Sequence, residues 1–216
     1  MAEQIIYGVI TADIVGSRKV ESFPTRRDQK LLELSNLHRR EKLVLSPYSV
    51  TAWDEFQVIL SRPEYLPRVM FDLRRSFYPL QLRIGVGIGT VSNVHRRPIN
   101  RYAGGEAFER AREAADWLKK PSPKYLAFTS IVSENETFNL IANTIYHLHD
   151  TLLERTTEKQ WAAINVQLAT GRQELAATSL NRDASTVSRA LKRAHYWHAI
   201  ETMEAMQTLI QQYFCT

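Results

Sequence analysis

Glycine and proline are scarce, at eight each in 216 residues, and a single cysteine, Cys215, stands next to the last residue. So little Gly and Pro excludes a flexible linker or a low-complexity tract. One cysteine cannot close an internal disulfide, and no Cys/His cluster spells a zinc site. No apolar run approaches the roughly 20 residues of a membrane span. The first residues, MAEQIIYGVITADIV, lack a basic stretch and carry an acid at Glu3, so they do not read as a signal peptide. No internal repeat is visible. These absences predict a protein of a reducing compartment, most simply the cytoplasm, with no membrane segment.

A hydrophobic share of 44% is enough for a packed core. The length suits one large domain or two small ones. The formal net charge of +5 favours an anionic partner such as nucleic acid or nucleotide.

Along the chain, 4–15 reads as a buried strand rich in β-branched residues. A helix is predicted over 24–45, capped by Thr25, with Leu31, Leu34 and Leu37 or His38 on one face. Two strands within 48–60 meet around Trp53, Asp54 and Glu55. Pro63 opens a further helix whose apolar face is Leu66, Val69 or Met70, Leu73 and Phe77. LQLRIGVGIG, 80–89, reads as a strand. Its alternating Gly85, Gly87 and Gly89 leave one face bare, open to another backbone or to a ligand. A basic loop spans 93–102, helices are predicted over 105–119 and 134–149, and a last strand over 125–129. The order β-α-ββ-α-β-α-β predicts a ferredoxin-like α+β layer over 1–150. Beyond it the chain reads as helical only, so a second, all-α domain is predicted over 151–216.

The first strand ends in VITADIVGSRK, 9–19. Asp13 stands at the strand end before Gly16, Ser17, Arg18 and Lys19. One reading is a simple turn, a favoured place for Asp. The other is a magnesium site. Asp13 and Asp54, on neighbouring strand ends, supply carboxylates, the Ile14 carbonyl adds a ligand, and a nucleotide's phosphates complete the set. The amides of Gly16 and Ser17 and the cations of Arg18 and Lys19 then face those phosphates. Residue 55 alternates with 54 on a strand, so Glu55 either joins this set or faces elsewhere. HRRPINR, 95–101, holds phosphate or RNA on one reading and is a solvated loop on the other. Glu106, Glu109 and Glu113, interleaved with Arg110 and Arg112, read as a charge-paired helix face.

The C-terminal part carries a helix, a short helix RQELAAT, a turn at 180–183 and a third helix over 184–193. In the first helix Trp161, Ile164, Val166 or Gln167, and Leu168 face inward. In the second Leu175 and Ala176 do so, and in the third Val187 and Leu191. This is a helix-turn-helix pattern. It offers Arg172, Gln173, Ser185, Thr186, Ser188, Arg189, Lys192 and Arg193 to DNA. No acid occurs from Ala184 to Ile200. The last helix carries Met203, Met206, Leu209, Ile210 and Tyr213 on one face, a packing or dimer surface, and a homodimer is expected.

DIVGS after an apolar strand, the DEF bend at Asp54 and LRIGVGIGTV resemble the palm domain shared by class III and GGDEF-type nucleotide cyclases. With YAGGEAFERAREA, the chain is most similar to the SatD family, over nearly its whole length. QELA…STVSR resembles the helix-turn-helix of sigma-factor region four. The resemblance implies that Asp13 and Asp54 match the cyclase metal aspartates and that Glu55 matches the second acid of the GGDEF bend. Ala52 and Trp53 replace the paired glycines there, and the indole crowds that space. Glu109 and Glu113 stand where cyclases place Asn and Arg. Two acids cannot steady a transferring phosphate as a neutral donor and a cation do.

Three functions follow as expectations. The first is a DNA-binding regulator whose palm binds Mg²⁺ and a nucleoside triphosphate. The second is a nucleotidyl cyclase or oligonucleotide synthase using the same acids. The third is a structural DNA-binding dimer with an inactive palm.

Overall fold

Ile6–Ile14 forms β1, whose alternation buries one side chain set on each face of a sheet. The computed structural model describes residues 5–96, 99–120 and 127–215. α1 follows at Phe23–Arg40, then β2 at Ser49–Val50 and β3 at Glu55–Ile59. α2 is Leu66–Phe77, β4 Leu82–Thr90, α3 Ile99–Tyr102, α4 Glu106–Lys119, β5 Thr129–Val132 and α5 Glu136–Glu154. The rest is helical: α6 Glu158–Thr170, α7 Gln173–Ser179, α8 Ala184–Arg193 and α9 Tyr196–Phe214. The sheet order is β2-β3-β1-β4-β5, with β1 antiparallel to both neighbours and β5 parallel to β4. The molecule is therefore a mixed α/β fold.

One sheet face carries Ile10, Ala12, Ile14, Phe56, Val58, Ile84, Val86 and Ile88 into the main core with α1 and α2. The other receives α4 at unusually close range. A Cβ at Gly87 would lie 2.0 Å from the Ala107 carbonyl oxygen and 2.4 Å from the Ala111 nitrogen. The bare glycine face is thus filled by a helix backbone, with Ala107, Ala111 and Ala115 as the small partners.

Several boundaries differ from the sequence reading. α1 starts with Ser22, not Thr25, at its N-cap, and ends at Arg40 rather than at 45. The stop is local: Lys42 has φ 58°, and the Leu43 amide turns back to the His38 carbonyl at 2.8 Å. The last strand is shifted from 125–129 to Thr129–Val132, because its register pairs Ile84 with Thr129 and Gly87 with Val132. Tyr125 lies outside the described residues. α5 begins at an Asn135 cap that accepts from the Phe138 amide at 2.9 Å, and it runs past 149 to Glu154. In the C-terminal helices Leu168 and Leu175 face outward, at 39% and 48% exposure. Small residues, Ala163, Ala176 and Ala177, occupy the inner positions instead and let the helices approach.

A second core gathers Trp161, Ile164, Ala176, Val187, Leu191 and Tyr196, and it leans on Phe71 of α2 and Leu153 of α5. α9 spans both cores. Tyr196 and Ala199 belong to the second, whereas Met206 and Ile210 are fully buried in the first. The apolar stripe of α9 is therefore an internal packing surface.

The outer edge of β5 is closed by side chains. Asn143 accepts from the Ile131 amide and donates to the Ile131 carbonyl, both at 2.8 Å. Asn139 treats Ser133 in the same way, at 2.9 and 3.0 Å. Two asparagines on α5 thus satisfy an edge that would otherwise recruit a strand. Asn143→Leu is expected to lose about 1–3 kcal/mol of stability by orphaning the Ile131 groups. It should also raise the self-associated fraction in sedimentation. A monodisperse variant of unchanged stability would refute that role.

Candidate functional site

β1 and β3 run antiparallel so that Asp13 lies opposite Glu55, and Arg83 of β4 lies opposite Asp13 on the other side. Cross-strand partners share a face, so these three side chains all point toward α4. Asp54 precedes β3 at the bend, and its carbonyl accepts from the Ile14 amide at 2.9 Å. This bond ties the end of β1 to the bend.

The turn after β1 is held by Gly16, whose φ of 75° suits glycine. It is followed by a short 3₁₀ turn, Ser17–Lys19. The buried Ser17 hydroxyl donates to Asp54 Oδ2 at 3.0 Å. Arg18 and Lys19 are exposed beside it, and neither makes a side-chain ion pair among the described residues.

Asp13 and Asp54 feel each other. Burial pushes the Asp13 carboxyl above its ordinary range, and the Asp54 charge pushes it further. Lys119 and Arg83 oppose this, the latter from 3.3 Å. Glu55 has a different fate. It is only 5% exposed, not solvent-facing. Arg112 of α4 grips it with two bonds, at 2.6 and 2.7 Å, and the Thr51 hydroxyl donates at 2.7 Å. Burial alone would raise the Glu55 carboxyl, but Arg112, Thr51 and Lys119 hold it down at about 2. Glu55 is an ion-pair partner of α4.

The sequence read Arg112 as part of an exposed charge-paired face. That pairing is local for Arg110 and Glu106, at 3.6 Å, while Arg112 reaches across to β3. Glu109 and Glu113 are exposed. Trp53 does not cover the carboxylates. It turns toward α1, with its ring 6.0 Å from that of Phe23, and its carbonyl is held by Arg27. Arg83, Arg112 and Lys119 were missed as members of the site. Only strand register and the closeness of α4 bring them to it.

The donor set fits magnesium in one respect. Two carboxylates that repel each other beside the Gly16–Ser17 turn are relieved by a cation, and magnesium takes one or two carboxylates with phosphate and water for the rest. Glu55 does not fit, because Arg112 occupies both its oxygens. Among the described residues no group of three or more His, Cys, Asp or Glu side chains is arranged to hold a metal.

In the C-terminal helices, Arg172 precedes α7 and Gln173 begins it. Asn181 makes the turn with φ 49°, and the Arg182 amide donates to the Ala177 carbonyl at 3.0 Å. Val187 and Leu191 pin α8 inward. Ser185, Thr186, Ser188, Arg189, Lys192 and Arg193 are all exposed. Arg189 folds back along α8, donating to the Ser185 carbonyl at 3.2 Å and the Thr186 hydroxyl at 3.4 Å. In the basic loop, the Arg96 guanidinium stacks 4.4 Å above the Tyr102 ring. Arg97 and Pro98 lie outside the described residues.

Buried charge elsewhere serves the core. His38 bridges the Tyr48 hydroxyl at 2.9 Å and Asp72 at 3.2 Å, and Arg68 and Arg75 hold the same carboxylate. Burial would raise Asp72, but His38, Arg68 and Arg75 keep it at about 2. Burial, helped by the Arg74 cation, pushes His149 down to about 3. Its ring nitrogens have no hydrogen-bond partner among the described residues.

These shifts predict acid lability. The unfolded chain binds a proton at residue 149 below pH 6.5 while the folded one does so only near pH 3. Stability from neutral His149 is full above about pH 6.5 and is lost as pH falls, at about 1.4 kcal/mol per pH unit. Asp72 and Glu55 add losses only below their ordinary values of 3.8 and 4.5. Urea unfolding from pH 8 to pH 4 checks this. His149→Phe should flatten the slope between pH 6 and pH 4.5 by about one proton.

Comparison with known proteins gives two findings. The SatD family model matches residues 7–193. Among solved structures, a regulator of polyketide synthase expression from Bifidobacterium adolescentis is similar at 15% identity, with 96% of this chain and 83% of that one covered and a TM-score of 0.30. No curated protein matches. Among the described residues no helix is long and apolar enough to cross a membrane.

Proposed function

The chain belongs to the SatD family, and on that premise we propose that it is a DNA-binding regulator whose sheet unit binds Mg²⁺ and a nucleotide and thereby alters DNA binding. The observation that carries this reading is α8. It is pinned by Val187 and Leu191 and presents an exposed row of hydroxyls and cations with no acid between Ala184 and Ile200. Such a surface donates to phosphates and base edges and repels nothing on a DNA backbone. In this reading α7 and α8 are the helix-turn-helix and the sheet unit is the palm. Two copies would set two α8 helices on a palindromic site.

For the palm, Asp13 and Asp54 would hold the magnesium, and the Ile14 carbonyl stands at the same strand end. Gly16, Ser17, Arg18 and Lys19 would hold phosphates. Bound there, the ion would neutralise both carboxylates and the phosphates together. Ser17 keeps Asp54 oriented through its hydroxyl. Arg83 and Lys119 lower the repulsion when the ion is absent.

The test is titration of labelled ATP and GTP with and without Mg²⁺, for wild type and Asp13→Asn, with product analysis and a DNA mobility assay on the same samples. Metal-dependent binding that is lost in the variant and changes DNA affinity is expected. DNA binding without any nucleotide effect would sink the palm half of the proposal. Cyclic or oligomeric product would make the protein an enzyme.

A further inference from the structure

A cavity of about 350 Å³ opens between the start of α1 and the turn from α2 to β4. Its walls are apolar, with Tyr78, Pro79 and Leu80 at the surface over the buried Phe23 and Phe77, and its rim is basic, with Lys19, Arg26 and Lys30. Arg26 is exposed, and none of the three meets a carboxylate among the described ion pairs. Lys30 donates to the Ser76 carbonyl at the end of α2 and lies 5.9 Å over the Phe77 ring. Arg27 also lines the cavity but is spent on Asp28, at 2.8 Å, and on the Trp53 carbonyl. Glu21 is the one acid among the described lining residues.

We propose that this cavity is a binding site for a small amphiphilic anion, one with an aromatic or other flat apolar body and one or two negative groups. The volume falls in the range of small-ligand pockets. Three cations without acid partners, set on low-dielectric walls, concentrate an anion. The part-exposed Tyr78 ring, with Pro79 and Leu80 beside it, gives its body an apolar surface. Lys19 borders both this cavity and the proposed phosphate turn, so competition between the two ligands decides whether they are separate sites.

The test uses anilinonaphthalene sulfonate, an aromatic anion of fitting size, with the full chain. Fluorescence titration should give one site per chain, weakened by salt. Arg26→Glu should weaken it about tenfold, a change of about 1.4 kcal/mol, while Arg26→Lys keeps it. Arg26 is exposed and outside the proposed phosphate turn, so both variants should melt as wild type does and bind Mg²⁺–ATP as wild type does, if wild type binds it. The proposal is overturned if the dye binds at several sites indifferent to Arg26→Glu. It is overturned equally if Mg²⁺–ATP displaces the dye competitively, since the cavity would then belong to the nucleotide. Failure of nucleotide binding alone leaves the dye result intact and strikes only the palm.

Discussion

Replacing Arg189 with alanine is expected to weaken DNA binding about ten- to a hundredfold, with little change in stability. The side chain is exposed, and its two bonds along α8, at 3.2 and 3.4 Å, are weak and easily given up. If α8 enters a groove as proposed, a guanidinium at its middle meets either a base edge or a phosphate, and the two are separable. If it reads a base, the loss should be confined to specific sites, and the salt dependence should stay as it was. If it meets a phosphate, affinity should fall on all sequences and the salt slope should drop by about one. Lys192→Ala is the companion that should show the phosphate pattern. Unchanged binding in the double variant would remove α8 from the DNA surface and with it the regulator reading.

Gly87→Ala is expected to abolish cooperative folding. The added methyl would sit 2.0 Å from one backbone atom of α4 and 2.4 Å from another, and backbone cannot rotate away as a side chain can. Either α4 lifts from the sheet or β4 bends. Both separate Arg112 from Glu55 and leave a buried carboxylate unpaired. A loss above about 4 kcal/mol is the expected scale for overpacking joined to a broken buried pair. Gly8→Ala is the control. The nearest atoms to its Cβ would belong to the Leu66 side chain, from 3.2 Å, so a loss of about 1–2 kcal/mol is expected there. Thermal melts of the two variants decide the matter. Similar melting points would show that α4 does not rest on the glycine face as described.

The sequence by itself determined the elements that depend on local pattern. β-branched alternation made β1 and β4, and spacing of three and four made α2, with Leu66, Val69, Leu73 and Phe77 all buried. The 3.6-residue period also made α8, whose predicted bounds and inward pair, Val187 and Leu191, are those observed. It allowed Asp13 and Asp54 to be neighbours, and the antiparallel pairing of β1 with β3 makes them so. It did not determine what surrounds them. Glu55 was left open between metal and solvent, and its burial under Arg112 comes from a helix 57 positions away in the chain. Arg83 and Lys119 reach Asp13 only through strand pairing and the dense contact of α4 with β4. The glycine row admitted a ligand or a backbone, and packing chose the backbone. Likewise Leu175 sits in an inward-looking period yet faces out, because neighbouring alanines already fill the narrow gap. α9 showed an apolar stripe, but only the fold shows that Met206 and Ile210 spend it on the sheet unit's own core. Periodicity and turn chemistry act over a few residues and can be read along a chain. Which charge meets which carboxylate, and which face finds a cover, is decided by contacts between residues far apart in sequence.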